Sequence, residues 1–310
     1  MSEAALRAGA GSEAPAPARA SRASGRFDHI YVMGAGRSGT TLLSIMLGAH
    51  PASGVRGELL QFSRYWRQNM ECSCGRPVRD CGHWLEAGHG LPGDDARSAD
   101  EYDRLIAGAE RHWRVAQYLV APRMAPKEYI AALRRLFLAL APSGMVIDAS
   151  KYVARALVLG SIPDFRVGYV YIVRDARGVL HSFSKPVQRP KSALSAALYY
   201  LLVNGAAQVA VWTRLRGRAV KVRYEDLVAD PARELERIGR FLGLDMSSVI
   251  ASIEAGQALD IGHMVSGNRI RTRGVIKVGL DDEWRGLSRL RRIGYYLACL
   301  PIQLVNRYRL

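Results

Sequence analysis

The sequence predicts an α/β fold in which a parallel sheet is flanked by helices and carries a mainly helical insertion. Two observations predict it. Four apolar runs have the length of strands, and each is followed by a stretch with helical character. Strands that alternate with helices in this way are typical of a parallel sheet covered on both faces.

The alternation can be followed element by element along the chain. The predicted strands, in order, are "HIYVMGA", "GMVIDASK", "FRVGYVYIVRD" and "GRAVKVRYEDL". The helices that follow them are "TTLLSIMLGAH", "YVARALVLGSI", "ARGVLHSFSK" and "PARELERIGRFLGL", the last with Pro231 at a favoured first position. Residues 58–143 interrupt this order with two helical stretches, near 99–121 and 127–141. We expect this insertion to lie beside the sheet and to select the substrate.

Composition limits the organisation of the chain. Residues 1–26 are mostly Ala, Ser, Gly, Pro and Arg, which predicts a disordered tail before a single domain at 27–310. The chain has 44 basic and 28 acidic residues, a net charge of +16. Such a surplus suits acidic ligands or anionic lipid, whereas the scattered arginines do not form the dense run expected for nucleic acid. Without the apolar block of a secretory signal, the tail predicts a cytoplasmic protein.

Two uncharged stretches raise the question of membrane contact. Residues 192–213 are long enough to span a bilayer, but they contain Asn204 and Gln208 and lie between segments of one predicted site. We therefore expect a buried core helix there. Residues 293–306 are too short to span, so they belong either to the core or to a peripheral membrane contact.

A glycine-rich loop follows the first strand, in "GAGRSGTT". Gly34 and Gly39 have the spacing of a phosphate-binding P-loop, but Thr40 stands where that motif has lysine. Backbone N–H groups and a helix N-terminus remain to bind an anion. The predicted ligand-binding residues of this loop are Gly36, Arg37, Ser38, Gly39, Thr40 and Thr41.

Two classes of ligand compete for such a loop. A nucleoside triphosphate would use Asp148, at the end of the second strand, as a magnesium ligand, and the missing lysine argues against it. An activated sulfate donor places about one negative charge, rather than nearly two, on the transferred group. A loop with one arginine and three hydroxyl groups would suffice for that donor without metal.

Four ordered motifs resemble the sulfotransferases that use 3′-phosphoadenosine 5′-phosphosulfate (PAPS). "GAGRSGTTLLSIMLGAHP" is similar to their 5′-phosphosulfate loop, and "YIVRDARGVLHSFSK" to their 3′-phosphate motif. "VRYEDLVADPARELERIGRFLGL" is similar to the segment after their fourth core strand. "HMVSGNRIRTRG", with "DDEWRGL", looks like their C-terminal nucleotide loop. The carbohydrate and protein-tyrosine branches are the nearer ones, since Arg37 replaces a loop lysine of the cytosolic enzymes.

The resemblance implies a role for individual residues. PAPS would be the co-substrate, adenosine 3′,5′-bisphosphate the product, and no metal would be required. Glu58 matches the position of the base that deprotonates the acceptor, and Lys151 would stabilise the leaving phosphate together with Arg37. The residues implied to bind the nucleotide outside the loop are Arg174, Ser182, Tyr224, Asn268, Arg271, Arg273 and Gly274, with Trp284 near the adenine.

A cysteine-rich stretch, "CSCGRPVRDCGHW", stands apart from these motifs. Cys72, Cys74, Cys81 and His83 are four potential zinc ligands within twelve residues. The first pair has C-x-C spacing, which departs from the usual zinc knuckle, so reduced structural thiols are the other interpretation. Cys299 lies far away and is predicted to be core.

The sequence thus predicts a sulfotransferase that acts on a hydroxyl-bearing acceptor by in-line displacement. A glycan, a glycolipid, a peptide tyrosine and a small metabolite all remain candidates, and the oligomeric state is open. A P-loop nucleotide kinase or ATPase, and a nucleotide-binding module without chemistry, are the alternatives. No nucleic-acid partner is expected.

Overall fold

A five-stranded parallel sheet forms the centre of the protein. The computed structural model describes residues 26–89, 96–186, 190–267, 275–276, 279 and 281–310. The strands of the sheet are β1 (His29–Met33), β2 (Ser53–Val55), β3 (Met145–Lys151), β4 (Val167–Val173) and β5 (Ala219–Arg223). They lie in the order β2-β3-β1-β4-β5, and every neighbouring pair is parallel. The predicted α/β fold is confirmed, and β1, β3, β4 and β5 are the four predicted strands.

Burial explains why the inner strands are continuous apolar runs. All residues of β1 and β4 are buried, because helices cover both faces of the sheet. Tyr31 and Met33 point into one hydrophobic cluster, and Ile30 and Val32 into the other. The edge strand β5 alternates between partly buried and buried residues instead. The short edge strand β2 was not predicted, because its three residues include a glycine and carry no periodic signal.

Helices connect the strands and form the two outer layers. In chain order they are α1 (Thr40–Gly48), α2 (Phe62–Arg67), α3 (Gly82–His89), α4 (Ala96–Ala109), α5 (Arg114–Val120), α6 (Lys127–Leu140), α7 (Val153–Leu159), α8 (Ala176–Ser184), α9 (Ala193–Trp212), α10 (Tyr224–Ala229), α11 (Pro231–Leu242), α12 (Ser247–Glu254), α13 (Arg289–Ala298) and α14 (Leu300–Val305). A two-stranded antiparallel pair, β6 (Leu259–Asp260) and β7 (Val275–Ile276), lies outside the main sheet.

The insertion packs on the sheet through α2 to α6. Its second predicted helix is confirmed as α6, whereas the first, predicted near 99–121, is wrong as a single helix. The chain breaks between α4 and α5, where Glu110 turns its carboxylate into the core to pair with Arg155. One hydrophobic cluster runs from the insertion to the sheet without a break. All but the last residue of the predicted tail, 1–26, lies outside the described residues.

Helix α9 is the long uncharged stretch. Among the described helices it alone has the length and apolar composition to cross a membrane. Tyr200, Asn204 and Ala207 are buried against the rest of the protein. The expectation of a buried core helix holds for this face, whereas on the opposite face Leu194 and Leu198 are more than half exposed. Asn204 and Gln208 are therefore core groups, and the outer face of the helix carries exposed leucines.

The C-terminal stretch also has one buried face and one exposed apolar face. Residues 293–306 form most of α13 and all of α14. Tyr296, Cys299 and Ile302 are buried, as the core interpretation expects, while Leu297 and Leu304 are more than half exposed. Both interpretations of this stretch therefore keep a structural basis.

Candidate active site

The predicted site residues that the structure describes meet at one edge of the sheet. The glycine-rich loop follows β1, Glu58 lies just beyond β2, and Lys151 ends β3. Arg174 and Tyr224 come directly after β4 and β5. Because the five strands are parallel, their carboxyl ends share an edge, which is where open α/β sheets bind ligands.

Two glycines of the loop are required by close contacts. Gly34 has φ +151°, and a Cβ atom there would lie 2.2 Å from the carbonyl oxygen of Ile172. Gly39 has φ +87°, and a Cβ atom there would lie 2.5 Å from the ring of Tyr224. The first glycine lets the loop pass over β4, and the second admits the tyrosine ring beside the start of α1.

The polar groups of the loop form an anion-binding cradle. The N-cap residue of α1 is Gly39, which has no side chain to cap the helix, and the N-terminus of a helix is a site that favours anions. The buried hydroxyl of Ser38 has no hydrogen-bond partner within the described residues. Arg37 has φ +71°, a left-handed conformation that costs free energy for a residue with a side chain. Gly36 donates its N–H to the hydroxyl of Tyr199 at 3.0 Å.

Arg174 lies beside this cradle and is almost fully buried. Its Nη1 donates to the carbonyl oxygen of Arg37 at 3.2 Å, which fixes the guanidinium against the loop. The ring centroid of Tyr224 lies 4.5 Å from Cζ of Arg174. The guanidinium also forms an ion pair with Asp281, with 3.2 Å between Nη2 and Oδ2. A phosphate bound by Arg174 would therefore compete with the carboxylate of Asp281.

Helix α8 brings Ser182 to the same place. A Cβ atom on Gly178 would lie 2.8 Å from Nε of Arg174, so the guanidinium rests on α8 at that residue. Ser182 follows Gly178 by four residues and shares its face of the helix. The serine hydroxyl is thus one turn away from the guanidinium. Its role at a phosphate stays a prediction.

Glu58 and Lys151 form an ion pair on the β3 side of β1, whereas Arg174 lies on the β4 side. The Nζ atom of Lys151 donates to Oε1 of Glu58, and both side chains are 19% exposed. Lys151 has φ +74°, so a second site residue besides Arg37 has the left-handed conformation. The backbone N–H of Glu58 donates to Val265 at 2.9 Å. Glu58 precedes the 3₁₀ turn Leu59–Gln61, but its side chain does not cap that turn.

A fully buried polar network supports this pair from below. The carboxylate of Asp148 accepts the N–H of Leu59 at 3.3 Å and pairs with Nε of Arg155 at 2.8 Å. The same guanidinium pairs with Glu110 at 2.8 Å, and Tyr129 donates to that carboxylate. Burial raises the pKa of Glu110, although Arg155 opposes the shift.

This network corrects the magnesium alternative for Asp148. The side chain is fully buried, and its two oxygens are occupied by Arg155 and by the N–H and hydroxyl of Ser150. Asp148 is therefore a structural residue that positions the Glu58 segment rather than a ligand for a metal-bound nucleotide.

The cysteine stretch also requires a correction. The three cysteines come together as predicted, but the histidine in their group is His263 rather than His83. His83 stacks on the ring of His263, with centroids 4.7 Å apart, and does not belong to the group. Tertiary packing places His263 there, because Ser73 bonds to both Gly262 and Met264.

The remaining predicted residues lie in the C-terminal segment. Asn268, Arg271, Arg273 and Gly274 lie outside the described residues. Trp284 packs on Arg177, with 4.4 Å between its ring centroid and Cζ. Its proximity to an adenine ring stays a prediction.

Several residues that the structure places at this edge were not predicted from the sequence. Tyr199 binds the loop from α9, and Asp281 pairs with Arg174. Arg155 and Glu110 form the buried network below Glu58. Arg155 and Glu110 belong to stretches that were predicted to be helical, where charged residues usually face water. The one signal for them is a charged residue at a position where the helical period places core residues.

Comparison with known proteins gives a family and a fold. A family model described as "Sulfotransferase family" matches residues 29–248. No curated protein matches the chain significantly. The structure is similar to the sulfotransferase domain from the curacin biosynthetic pathway, with a TM-score of 0.51 and 18% identity over 91% of this chain and 98% of that one. At this identity the likeness concerns the fold.

Two further solved structures are similar at lower scores. The sulfotransferase domain from the Synechococcus PCC 7002 olefin synthase has a TM-score of 0.49 and 20% identity, over 91% of this chain and 95% of that one. A mouse sulfotransferase, SULT7A1, solved in complex with PAP, has a TM-score of 0.43 and 13% identity, over 87% of this chain and 82% of that one.

Proposed function

The chain belongs to the sulfotransferase family, and we propose that it transfers the sulfuryl group of PAPS to a hydroxyl-bearing acceptor. The observation that carries the proposal is the Glu58–Lys151 pair beside an anion-binding loop. A carboxylate there can accept a proton, and an ammonium group there can stabilise an anion. Transfer of a sulfuryl group to a hydroxyl group requires both a proton acceptor and a positive charge at the leaving group.

The donor would lie along the edge of the sheet, with its 5′-phosphosulfate and its 3′-phosphate bound by different residues. The loop and the N-terminus of α1 would bind the 5′-phosphosulfate. Arg174, which is buried after β4 and whose guanidinium rests on α8 at Gly178, would bind the 3′-phosphate bidentately. Asp281 would leave Arg174 as that phosphate arrives. Support for PAPS comes from this division and from the general use of PAPS in the family.

The reaction is a single displacement at sulfur. The acceptor oxygen forms a bond to sulfur while the bond from sulfur to the 5′-phosphate oxygen breaks. Glu58 takes the proton of the hydroxyl group, and adenosine 3′,5′-bisphosphate leaves with the bonding electrons. Lys151 would turn from Glu58 to the bridging oxygen, which frees the carboxylate to act as the base and places a positive charge where negative charge develops.

The alternatives fit the described residues less well. A nucleotide kinase needs a loop lysine and a magnesium ligand, but Thr40 stands in the lysine position and Asp148 is buried in an ion pair with Arg155. An inert nucleotide-binding module has no use for a carboxylate and an ammonium group held together at the end of the loop.

Membrane contact and a cytoplasmic location are part of the same proposal. The exposed apolar side chains of α9, α13 and α14 would rest on an anionic membrane surface, beside the arginines at 289, 291 and 292. Such a surface would suit a lipid-linked acceptor. The acceptor is proposed only as a hydroxyl compound, and its class is left to experiment.

A transfer assay with the full chain tests the proposal. Radiolabelled PAPS is incubated with the protein and with lipid, glycan and peptide extracts in turn. We expect one extract to yield a labelled product together with adenosine 3′,5′-bisphosphate. Transfer of label from the γ-phosphate of magnesium-ATP instead would overturn the proposal in favour of a kinase. Binding of the bisphosphate without transfer to any extract would favour an inert module.

A further inference from the structure

Three cysteines and a histidine meet at the base of the insertion. Cys72 and Cys74 lie in the loop after α2, Cys81 directly precedes α3, and His263 follows β6. One ligand atom from each of the four residues lies within 4.8 Å of the other three. Cys72 and Cys81 are buried and Cys74 is exposed, and the described structure has no disulfide among them.

The separations between these atoms match a tetrahedral metal site. Zinc binds sulfur at about 2.3 Å and nitrogen at about 2.0–2.1 Å, so tetrahedral ligands lie about 3.8 Å apart for two sulfurs and about 3.5 Å for sulfur and nitrogen. The Sγ atoms of Cys74 and Cys81 are 3.8 Å apart. Nδ1 of His263 lies 3.2 Å from Sγ of Cys81 and 3.8 Å from Sγ of Cys72. The four atoms therefore surround a space of the size of one ion.

Neighbouring groups are those expected around metal-bound thiolates. The indole N–H of Trp84 donates to Sγ of Cys72 at 3.3 Å, and the side chain of Trp84 is fully buried. Such outer hydrogen bonds stabilise a thiolate ligand and fix its direction. The ring of His83 stacks in parallel on that of His263 and holds its plane.

A buried cation beside the cluster has no acidic partner among the described residues. Arg56 is 1% exposed, and its Nε and Nη2 atoms make no hydrogen bond. Its backbone carbonyl accepts the N–H of Val265 at 3.1 Å, two residues after His263. A divalent ion with three thiolates and a neutral imidazole carries a net charge of about −1. That charge would compensate Arg56, which has no acidic partner among the described residues.

We propose that Cys72, Cys74, Cys81 and His263 bind one zinc ion at a closed, structural site. Three soft thiolates, one imidazole and a tetrahedral arrangement are the ligand set that selects zinc among the common metals. The atoms lie too close together for an iron–sulfur cluster, whose ligand sulfurs are separated by the cluster itself. Four protein ligands leave no open position for a reacting water.

The site would join the insertion to the segment that leads into the predicted nucleotide loop. Ser73 already bonds to Gly262 and Met264 on that segment. Val265, two residues after the ligand His263, accepts the N–H of Glu58 and pairs with Gly57. Zinc would therefore hold Glu58 and the start of the nucleotide loop in register with each other. The proposal does not depend on which reaction this edge catalyses.

Metal analysis of the full chain is the first test. The protein is purified under reducing conditions without added chelator, and its metal content is measured by mass spectrometry. We expect about one zinc per chain, and X-ray absorption at the zinc edge should give three sulfur ligands and one nitrogen ligand. A mercurial reagent that modifies thiols should release the ion and lower the melting temperature.

Variants then identify the ligands. Cys74→Ser and His263→Asn should each lower zinc content at least tenfold, because each removes one of four ligands. His83→Gln and Cys299→Ser are the matched controls, one a stacked histidine and one a buried cysteine elsewhere, and both should keep the ion. If the ligand variants fail to fold, the absorption spectrum of the unchanged protein still decides the ligand set.

Three results would overturn the proposal. The first is a folded protein without metal that gains no stability when zinc is added. A disulfide between Cys74 and Cys81 in the purified, active protein is another. The third is loss of zinc from the His83→Gln variant while His263→Asn retains it, because the site would then have the ligands expected from sequence spacing.

Discussion

The ammonium group of Lys151 contacts the carboxylate of Glu58 across a separation of 93 residues in the sequence. Lys151 ends β3 and Glu58 follows β2. The pairing of these neighbouring strands brings both residues to one edge of the sheet. Each neutralises the other in the protein without ligand. Under the proposed mechanism the donor would draw Lys151 away, so that binding of the donor would itself free Glu58 to act as the base.

Replacement of the base should stop turnover without unfolding the protein. For Glu58→Gln we expect kcat to fall by about a hundredfold or more, because the acceptor hydroxyl loses its proton acceptor. Donor affinity and melting temperature should hold, since the side chain caps no helix. Steady-state kinetics and thermal unfolding measure both quantities.

Glu101→Gln is the control for this prediction. That exposed glutamate lies on α4 and away from the sheet edge, so its loss should leave kcat unchanged. Near-normal turnover by the Glu58 variant would contradict the assignment of the base. A fall of about 0.3–1 kcal/mol in stability with normal turnover would assign Glu58 to the start of the following turn.

Replacement of Lys151 should lower kcat only while Glu58 is present. We expect Lys151→Gln to lower kcat about tenfold or more, and the double variant with Glu58→Gln to be no slower than Glu58→Gln alone. Residues that act as a unit show such non-additive losses. Single-turnover rates of the three variants complete the cycle. Losses that multiply would show that the two residues act independently.

Release of Arg174 from Asp281 should tighten binding of the nucleotide product. Asp281→Asn removes the carboxylate that competes with the 3′-phosphate for the guanidinium. We expect adenosine 3′,5′-bisphosphate to bind about threefold more tightly, which corresponds to ~0.7 kcal/mol for a partly exposed ion pair. Calorimetric titration measures the change. Asp282→Asn, whose ion-pair partner is Arg285, is the matched control and should not alter Kd.

Replacement of Arg174 should weaken binding of the nucleotide product, and the loss of affinity should depend on whether the ligand has a 3′-phosphate. Arg174→Ala is expected to weaken the bisphosphate but to leave AMP, which lacks a 3′-phosphate, nearly unchanged. In the unmodified protein a hundredfold excess of the bisphosphate over Kd should stabilise the fold by about 2.7 kcal/mol. Equal stabilisation by magnesium-ATP would contradict the donor assignment.

Stability should fall with acidification because of His29. Burial between Phe137 and Phe165 lowers the pKa of this histidine to about 4. Below pH 6.5 the unfolded chain binds a proton there that the folded protein does not bind. The contribution of His29 is therefore fully present above pH 6.5 and is lost at up to about 1.4 kcal/mol per unit between pH 6.5 and 4.

The variant His29→Leu isolates this contribution. Urea unfolding of both proteins between pH 4 and 8 gives the free energy of unfolding at each pH. The difference between them should change below pH 6.5, with the variant losing less stability. Parallel curves at every pH would show that His29 is protonated equally in the two states.

Membrane contact should depend on the exposed leucines of the C-terminal helices. Leu290, Leu297 and Leu304 are each more than half exposed, whereas Gln303 is buried and accepts the N–H of Ala176. Truncation of this segment would damage the core, so point changes are the better test. We expect the triple change of these leucines to Ser to abolish co-sedimentation with anionic vesicles. Leu138→Ser, an exposed leucine on α6, should have no effect, and equal binding by all proteins would remove the proposal.

The sequence by itself determined the architecture and predicted the residues of the anion-binding loop. The period of apolar residues identified β1, β3, β4 and β5, because strands buried on both faces are continuous apolar runs. Glycine spacing identified the loop, and Arg174 and Ser182 lie eight residues apart across a strand–helix junction. These features are local, so neighbouring residues carry the whole signal.

Only the tertiary structure decided which distant groups meet. It paired Glu58 with Lys151, placed Asp281 on Arg174, and put His263 rather than His83 beside the three cysteines. The predicted helix is also interrupted near Glu110, whose carboxylate forms a buried ion pair with Arg155. Strand order and the packing of side chains set these contacts, and no local pattern contains either. Sequence spacing therefore predicts which groups are present, and the order of the strands decides which of them can act together.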